Sequence, residues 1–90
     1  MNIQKYMAFV KAVELGSFTK AAKTLDYSQS GISRMINDLE KEWGVFLLER
    51  GRTGINLTSD GFKLLPQLKR ICNEYEILMK QIEELHNMES

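Results

Sequence analysis

Short or fork-shaped polar side chains are crowded into nine residues of this sequence. They are Gln29, Ser30, Ser33, Arg34 and Asn37. An arginine fork can donate two parallel hydrogen bonds to guanine, a glutamine or asparagine amide can pair in the same way with adenine, and a serine hydroxyl can bond to either base. A solvated helix surface more often carries long lysine and glutamate side chains. The cluster therefore predicts a DNA-reading surface, with a plain surface helix of a small bundle as the alternative.

One amphipathic helix would position this cluster. The apolar residues of the same stretch recur at spacings of three and four, the period of one helix face: Ile32, Met35, Ile36, Leu39 and Trp43. Ser28 is suited to cap the first turn, and Gly44 can adopt the left-handed conformation that ends a helix. Acidic residues gather in the C-terminal half of the helix. We therefore expect only its first two turns to contact DNA.

Two helices are predicted before this one. Helical spacing of apolar residues runs from Ile3 to Leu15 and stops at Gly16, and Ser17 is a good N-cap for a short helix that ends at Leu25. Only residues 26–28 separate that short helix from the polar cluster. Two helices joined by so short a turn form a helix-turn-helix, and an αα-hairpin without a DNA role is the alternative.

The pattern changes after Gly44. Short apolar runs at residues 45–49 and 55–57 flank a segment with two glycines, which predicts a β-hairpin. The hairpin tip carries Arg50, Arg52 and Thr53. Beside a helix-turn-helix, such a basic tip is a wing that can reach phosphate or the minor groove. Arg50, at the end of the first strand, could equally be a structural ion-pair partner of a nearby acid.

The last predicted helix is long. Thr58 is placed to cap it, and apolar residues continue at spacings of four and three to about Asn87, some thirty residues or roughly 45 Å. The rest of the chain is too small to cover that length, so we expect a second copy of the same helix to pack there. The expected dimerisation residues are Leu68, Ile71, Tyr75, Leu78, Ile82 and Leu85.

Composition excludes several classes of protein. The chain has 90 residues, of which 43% are hydrophobic, so we expect one small globular unit. No apolar run is long enough to span a membrane and no signal pattern begins the chain, which predicts a cytoplasmic protein. The lone cysteine, Cys72, lies on a helical apolar stripe and is expected to be a buried small hydrophobe.

Charge gives a mixed indication. Lysines and arginines balance aspartates and glutamates overall, but eight basic and six acidic residues precede Ser59, against four basic and six acidic after it. A modest DNA affinity is therefore expected of one copy, and two copies would help. The zero net charge also supports an alternative function, a helical dimerising protein-interaction module that does not bind DNA.

An enzyme is not expected. The only histidine, His86, lies near the C-terminus without a motif-placed partner, and the sequence has neither metal-ligand spacing nor a glycine loop for phosphate. We therefore predict no catalytic residues, no metal and no cofactor.

These motifs together resemble the N-terminal DNA-binding domain of LysR-type transcriptional regulators. The shared residues, in order and at family spacing, are Phe9-Val-x-x-Val13, Gly16-Ser-Phe-Thr19, Ala21-Ala-x-x-Leu25, Ser28-Gln29, Ile32-Ser33-Arg34, Ile36, Leu39-Glu40, Gly44-Val45, Leu47-Leu48-Glu49-Arg50 and Leu57-Thr58-x-x-Gly61. The resemblance covers the chain to about Pro66, and the helix beyond matches by type only.

The resemblance implies a mainly α fold. A winged helix-turn-helix, three helices plus a short β-hairpin wing, would occupy residues 1–58, and a long C-terminal linker helix for dimerisation would occupy residues 59–90. The dimer would bind double-stranded DNA as a bacterial transcriptional regulator. Members of the family carry a larger effector-binding domain, so the chain is expected to be a fragment or a short relative, with a small-molecule inducer only if an effector domain exists.

The resemblance also assigns roles to residues. Gln29, Ser30, Ser33 and Arg34 would enter the major groove. The hydroxyls of Ser17 and Thr19 would meet phosphate, and Arg52 would meet the minor groove or the backbone. Two positions depart from the family pattern: Ser30 replaces the usual proline, which alters one potential base contact, and Leu48 replaces the usual phenylalanine in the core.

Overall fold

The computed structural model describes residues 2–51 and 53–88 and contains four helices in that part of the chain. They are α1 (Ile3–Leu15), α2 (Phe18–Leu25), α3 (Gln29–Trp43) and α4 (Ser59–Met88). All four predicted helices are confirmed, and none of the four is long and apolar enough to cross a membrane.

Side-chain caps start the last three helices. The hydroxyl oxygens of Ser17, Ser28 and Thr58 accept hydrogen bonds from the backbone N–H groups three residues ahead, at 3.1, 3.0 and 2.9 Å. These bonds satisfy donors that the first helical turn leaves without an intrahelical partner. Gly44 ends α3 in the left-handed conformation, with φ of 69°. The boundaries of α3 follow from local sequence at both ends.

The core surrounds α1, which packs against each of the other three helices. Its fully buried large side chains come from α1, α3 and the segment after α3: Phe9, Ile32, Ile36, Leu39 and Leu47. The small residues Ala21 and Ala22 of α2 are also buried, and they let the neighbouring helices α1 and α3 approach α2 closely. Cys72 of α4 completes this core as a buried free thiol, as predicted. Burial, and then the charges of Glu76 and Glu14, raise the pKa of Cys72 above its usual value.

The two strands of the predicted β-hairpin are not found in the described residues, and the wing is not confirmed. In the described part of the segment, strand pairing is reduced to one antiparallel bridge between Leu48 and Leu57. Two backbone hydrogen bonds flank this bridge, from the N–H of Glu49 to the carbonyl of Asn56 and from the N–H of Thr58 to the carbonyl of Leu47. In this register the N–H of Leu47 would be the next to pair, but a side chain accepts from it instead. The N–H groups of Leu47 and Leu48 donate to the carboxylate of Glu40, and the carbonyl of Phe46 accepts from the hydroxyl of Thr58.

Helix α4 has a packed base and a projecting end. At its base, a Cβ atom added to Gly61 would lie 2.1 Å from the carbonyl oxygen of Leu47, so only glycine lets α4 approach the bridge segment this closely. Leu68 and Cys72 are buried, whereas every residue from 76 to 88 is exposed. Its second half therefore extends away from the core, and the molecule measures 51 Å along its longest axis.

Candidate nucleic-acid interface

The first two turns of α3 present the predicted base-reading residues together. Gln29, Ser30 and Arg34 are exposed and Ser33 is half-buried, while Ile32 on the opposite face is fully buried. Buried Ile32 and Ile36 fix the rotation of the helix against α1. Four hydrogen-bonding side chains consequently share one surface at the positively polarised end of the helix dipole.

Arg34 is uncommitted within the described residues. No hydrogen bond or ion pair there engages its guanidinium, in contrast with Arg50. An exposed guanidinium keeps all five of its N–H donors for an outside acceptor. Arg34 is therefore the residue of this surface best suited to a two-bond contact with guanine.

The cap of α3 includes Ser30. The hydroxyl oxygens of Ser28 and Ser30 lie 3.2 Å apart, and Ser28 also accepts from the N–H of Gly31. A Cβ at Gly31 would come within 3.1 Å of the Ser28 hydroxyl. The serine that departs from the family pattern thus extends the capping group toward the exposed surface.

Helix α2 contributes two hydroxyl groups next to this surface. Ser17 uses its oxygen to cap α2 at the N–H of Lys20, and Thr19 donates to the side-chain oxygen of Gln29 at 3.1 Å. Both residues were predicted to meet phosphate. The structure brings them to the start of α3 but shows that each hydroxyl already has a partner in the protein.

A buried glutamate joins α3 to the wing segment, defined here as residues 45–57. Glu40 is 6% exposed. One carboxylate oxygen accepts from the N–H groups of Leu47 and Leu48 at 2.7 and 3.1 Å, and the other forms an ion pair with Arg50. Arg50 also donates to the amide oxygen of Asn37. Three residues of the wing segment, Leu47, Leu48 and Arg50, are therefore bonded to the last two turns of α3.

This arrangement contains one of the two interactions expected of Arg50. The structural ion pair is present, so the guanidinium is held against α3, although its side chain remains half-exposed. A phosphate contact by Arg50 stays a prediction. Asn37, counted with the base-reading polar cluster, is instead a partner of Arg50.

The sequence analysis gave Glu40 no structural role and grouped it with the acids in the C-terminal half of α3. A signal was available. Glu40 follows Ile36 by four residues and therefore lies at the edge of the apolar face.

The predicted wing tip is described only in part. Arg52 lies outside the described residues. Thr53 is exposed, and its carbonyl accepts from the side chain of Asn56 at 3.0 Å. Gly54 and Ile55 line a shallow cleft together with the start of α2 and Gln29. The wing segment consequently borders the base-reading surface on the α2 side.

The six predicted dimerisation residues separate into three groups by their exposure. Leu68 is 4% exposed and belongs to the core of its own chain, so it does not lie on the open face of α4. Ile71 and Tyr75 are half-buried. Leu78, Ile82 and Leu85 are 49%, 50% and 63% exposed. The open apolar stripe therefore begins near Ile71, one turn later than predicted.

Metal ligands do not cluster in the part of the chain that the structure describes: no three histidine, cysteine, aspartate or glutamate side chains there are grouped to hold an ion.

Comparison with known proteins finds relatives that share the helix-turn-helix of this chain. Residues 3–62 match the family model described as bacterial regulatory helix-turn-helix protein, lysR family. The chain is 42% identical over 86 residues to a probable nitrogen assimilation transcriptional activator of Synechococcus elongatus, covering 94% of this chain and 27% of the relative. The chain thus spans about a quarter of the length of that relative.

Solved structures show the same fold. A BenM_DBD in complex with catB site 1 DNA superposes with a TM-score of 0.82 at 31% identity, covering 96% of this chain and 97% of that one. An OxyR C206 mutant of Corynebacterium glutamicum gives a TM-score of 0.87 at 30% identity, covering 92% of this chain and 26% of the other.

Proposed function

This chain belongs to the lysR family of bacterial regulatory helix-turn-helix proteins, and from that premise we propose that it binds double-stranded DNA with sequence preference as part of a homodimeric transcriptional regulator. The first two turns of α3 would lie in the major groove. Gln29, Ser30, Ser33 and Arg34 would read bases there, with the wing segment, including Arg52, against the backbone or minor groove. Residues 1–58 would bind DNA and residues 59–90 would dimerise.

The observation that carries the proposal is the free hydrogen-bonding capacity at the start of α3. Arg34 has no partner within the described residues, and Gln29 and Ser30 are exposed beside it. Charged side chains on ordinary helix surfaces are also exposed. A short turn before α3, a reading face of glutamine, serine and arginine, and an adjoining wing segment are a combination that such helices lack.

Relatives support the proposal. The chain resembles over nearly its whole length a BenM_DBD that was solved with DNA, and a relative such as the one from Synechococcus elongatus is a probable transcriptional activator. The larger size of that relative supports an effector domain, and hence an inducer, in a longer form of this protein. A regulator of this kind would work in the bacterial cytoplasm.

Dimerisation rests on the projecting half of α4. Leu78, Ile82 and Leu85 recur at spacings of four and three on the exposed end of the helix. Exposed apolar side chains in such a stripe are stabilised when a second helix covers them. Two base-reading surfaces carried by one dimer would also raise the affinity that a chain of zero net charge can achieve.

The experiment is selection of bound sites from random DNA at two stated salt concentrations. We expect two related half-sites at a fixed spacing, and a log affinity that falls linearly as log salt rises, by about 0.9 per phosphate contacted. A dimer that enriches no site and shows a flat salt dependence would instead support the alternative, an interaction module that dimerises without binding DNA.

A further inference from the structure

The hydroxyl of Thr19 donates its hydrogen bond to Gln29. Thr19 stands in the first turn of α2 and Gln29 is the first residue of α3, and the donor and acceptor oxygens lie 3.1 Å apart. Both side chains are exposed at the surface proposed to face DNA. This bond links the two helices of the helix-turn-helix at a base-reading residue.

A threonine hydroxyl has one hydrogen to donate. Phosphate oxygens only accept hydrogen bonds. A Thr19 hydroxyl that donates its hydrogen to phosphate therefore no longer donates it to Gln29. Thr19 could then meet Gln29 only by accepting from its NH2 group, which is the opposite orientation of the amide. Donation to phosphate and donation to the Gln29 oxygen therefore exclude each other, and the structure shows the second.

The bond also distinguishes the two ends of the Gln29 amide. An unrestrained amide can turn over and exchange its oxygen with its NH2 group, which have nearly the same shape but opposite hydrogen-bonding character. Adenine is bonded in only one of these orientations, because its major-groove edge has a donor at N6 and an acceptor at N7. An amide held by its oxygen keeps one order of donor and acceptor.

We propose that Thr19 is a positioning residue for base readout, which fixes the orientation of the Gln29 amide instead of binding phosphate. This inference rests on the proposed DNA-binding function and deepens it. Thr19 then influences specificity without touching a base. Ser17, whose hydroxyl caps α2, has no such effect on Gln29.

The test compares Thr19→Val with Thr19→Ser on the DNA site selected by the wild-type chain. Valine has the shape of threonine without the hydroxyl, and serine restores the hydroxyl. Affinity is measured on the selected site, on single-base variants of each half-site and on random DNA, across a salt series. Melting temperature confirms that each variant is folded.

For Thr19→Val we expect base discrimination to fall about two- to tenfold at one position of each half-site, the size of one neutral hydrogen bond. The loss on random DNA and the change in salt dependence should both be small. Thr19→Ser should recover the wild-type preference. In a Gln29→Ala background, Thr19→Val should have no further effect on discrimination.

Two results would overturn the inference while leaving the proposed function standing. One is wild-type discrimination in Thr19→Val. The other is an equal loss on all DNA sequences with a shallower salt dependence, which identifies a phosphate contact. If the wild-type chain itself shows no sequence preference, the proposed function fails and the role of Thr19 fails with it.

Discussion

Replacing Glu40 with alanine tests whether a buried carboxylate holds the wing segment on α3. The substitution removes the acceptor of two backbone N–H groups that belong to buried residues, Leu47 and Leu48. It also removes the ion-pair partner of Arg50. Each of these contacts joins α3 to the wing segment, so none can be replaced from within the helix.

The size of the effect follows from the two backbone donors. A buried N–H left without an acceptor costs about 1–3 kcal/mol, so two such groups give roughly 3 kcal/mol when water partly replaces the lost oxygen. The ion pair adds little to this figure, because the Arg50 side chain is half-exposed and solvent screens it. For a domain of this size the melting temperature should fall by about 12–24 °C. Glu40→Gln keeps one acceptor oxygen and should cost about 1 kcal/mol.

Thermal and urea unfolding at one fixed protein concentration measure these differences, since the proposed dimerisation would make stability depend on concentration. Glu42→Ala is the matched control. Glu42 lies half a turn further along α3, its side chain is 54% exposed, and among the described residues its carboxylate forms an ion pair with Lys5 at 3.7 Å. That control should change stability by less than about 0.5 kcal/mol. Equal effects of Glu40→Ala and Glu42→Ala would refute the reasoning, because burial and the two N–H bonds would then contribute nothing.

Three further predictions concern other parts of the molecule. Arg34→Ala should weaken binding to the selected DNA site by about 1–3 kcal/mol and should weaken binding to random DNA much less. Arg34→Lys should not restore specificity because lysine lacks the planar fork. Equal losses on both DNAs would exclude direct readout. Ile82→Glu should shift the chain from dimer to monomer in sedimentation experiments without lowering its helix content. Lys80→Glu, which lies outside the apolar stripe, should leave the dimer intact. Identical behaviour of the two variants would exclude this stripe as the interface. The raised pKa of Cys72 means that the folded state holds the thiol proton more tightly than the unfolded chain, so this group's stabilising contribution is complete below pH 9.0 and is lost as pH rises above it. Cys72→Ala should remove the part of the fall in unfolding free energy above pH 9.0 that comes from this thiol. An unchanged pH dependence of the unfolding free energy would contradict this prediction.

The helices were predictable because their determinants are local. Ser28 caps the turn that immediately follows it, and Gly44 ends the helix at its own position. The apolar period between them needs only one neighbouring surface to be buried. Resemblance to the lysR family, based on these same residues, is confirmed by the family match over residues 3–62.

The two strands predicted for the wing segment are reduced to one bridge, and part of the reason is that side chains take up some of its backbone groups. An apolar run at residues 45–49 predicts a strand, but Glu40 takes two of its N–H groups and Thr58 takes one of its carbonyls. Periodicity describes which face a residue occupies and carries no information about such contacts. Gly61 is a similar case, since only the approach of Leu47 explains why a side chain is excluded there.

The apolar stripe of α4 shows a different limit of sequence reasoning. Leu68 and Ile82 occupy nearby angular positions on the helix, so periodicity assigned both to one dimer face. In the structure the core of the chain ends near Cys72, and this boundary separates them: Leu68 is buried within its own chain and Ile82 is half-exposed. Where along a helix the core stops depends on how the other three helices pack, which the helix's own sequence does not encode.

Helix α3 connects the separate parts of the proposed DNA surface. Its first residue, Gln29, is bonded to α2 through Thr19, and Glu40 anchors the wing segment near its end. Arg34 and Glu40 are six residues apart, or about 9 Å along a continuous helix. The distance from proposed base contacts to proposed wing contacts is therefore set mainly by one rigid element. Loosening Glu40 should accordingly weaken wing contacts on every sequence alike, whereas loosening Thr19 should change which base is preferred.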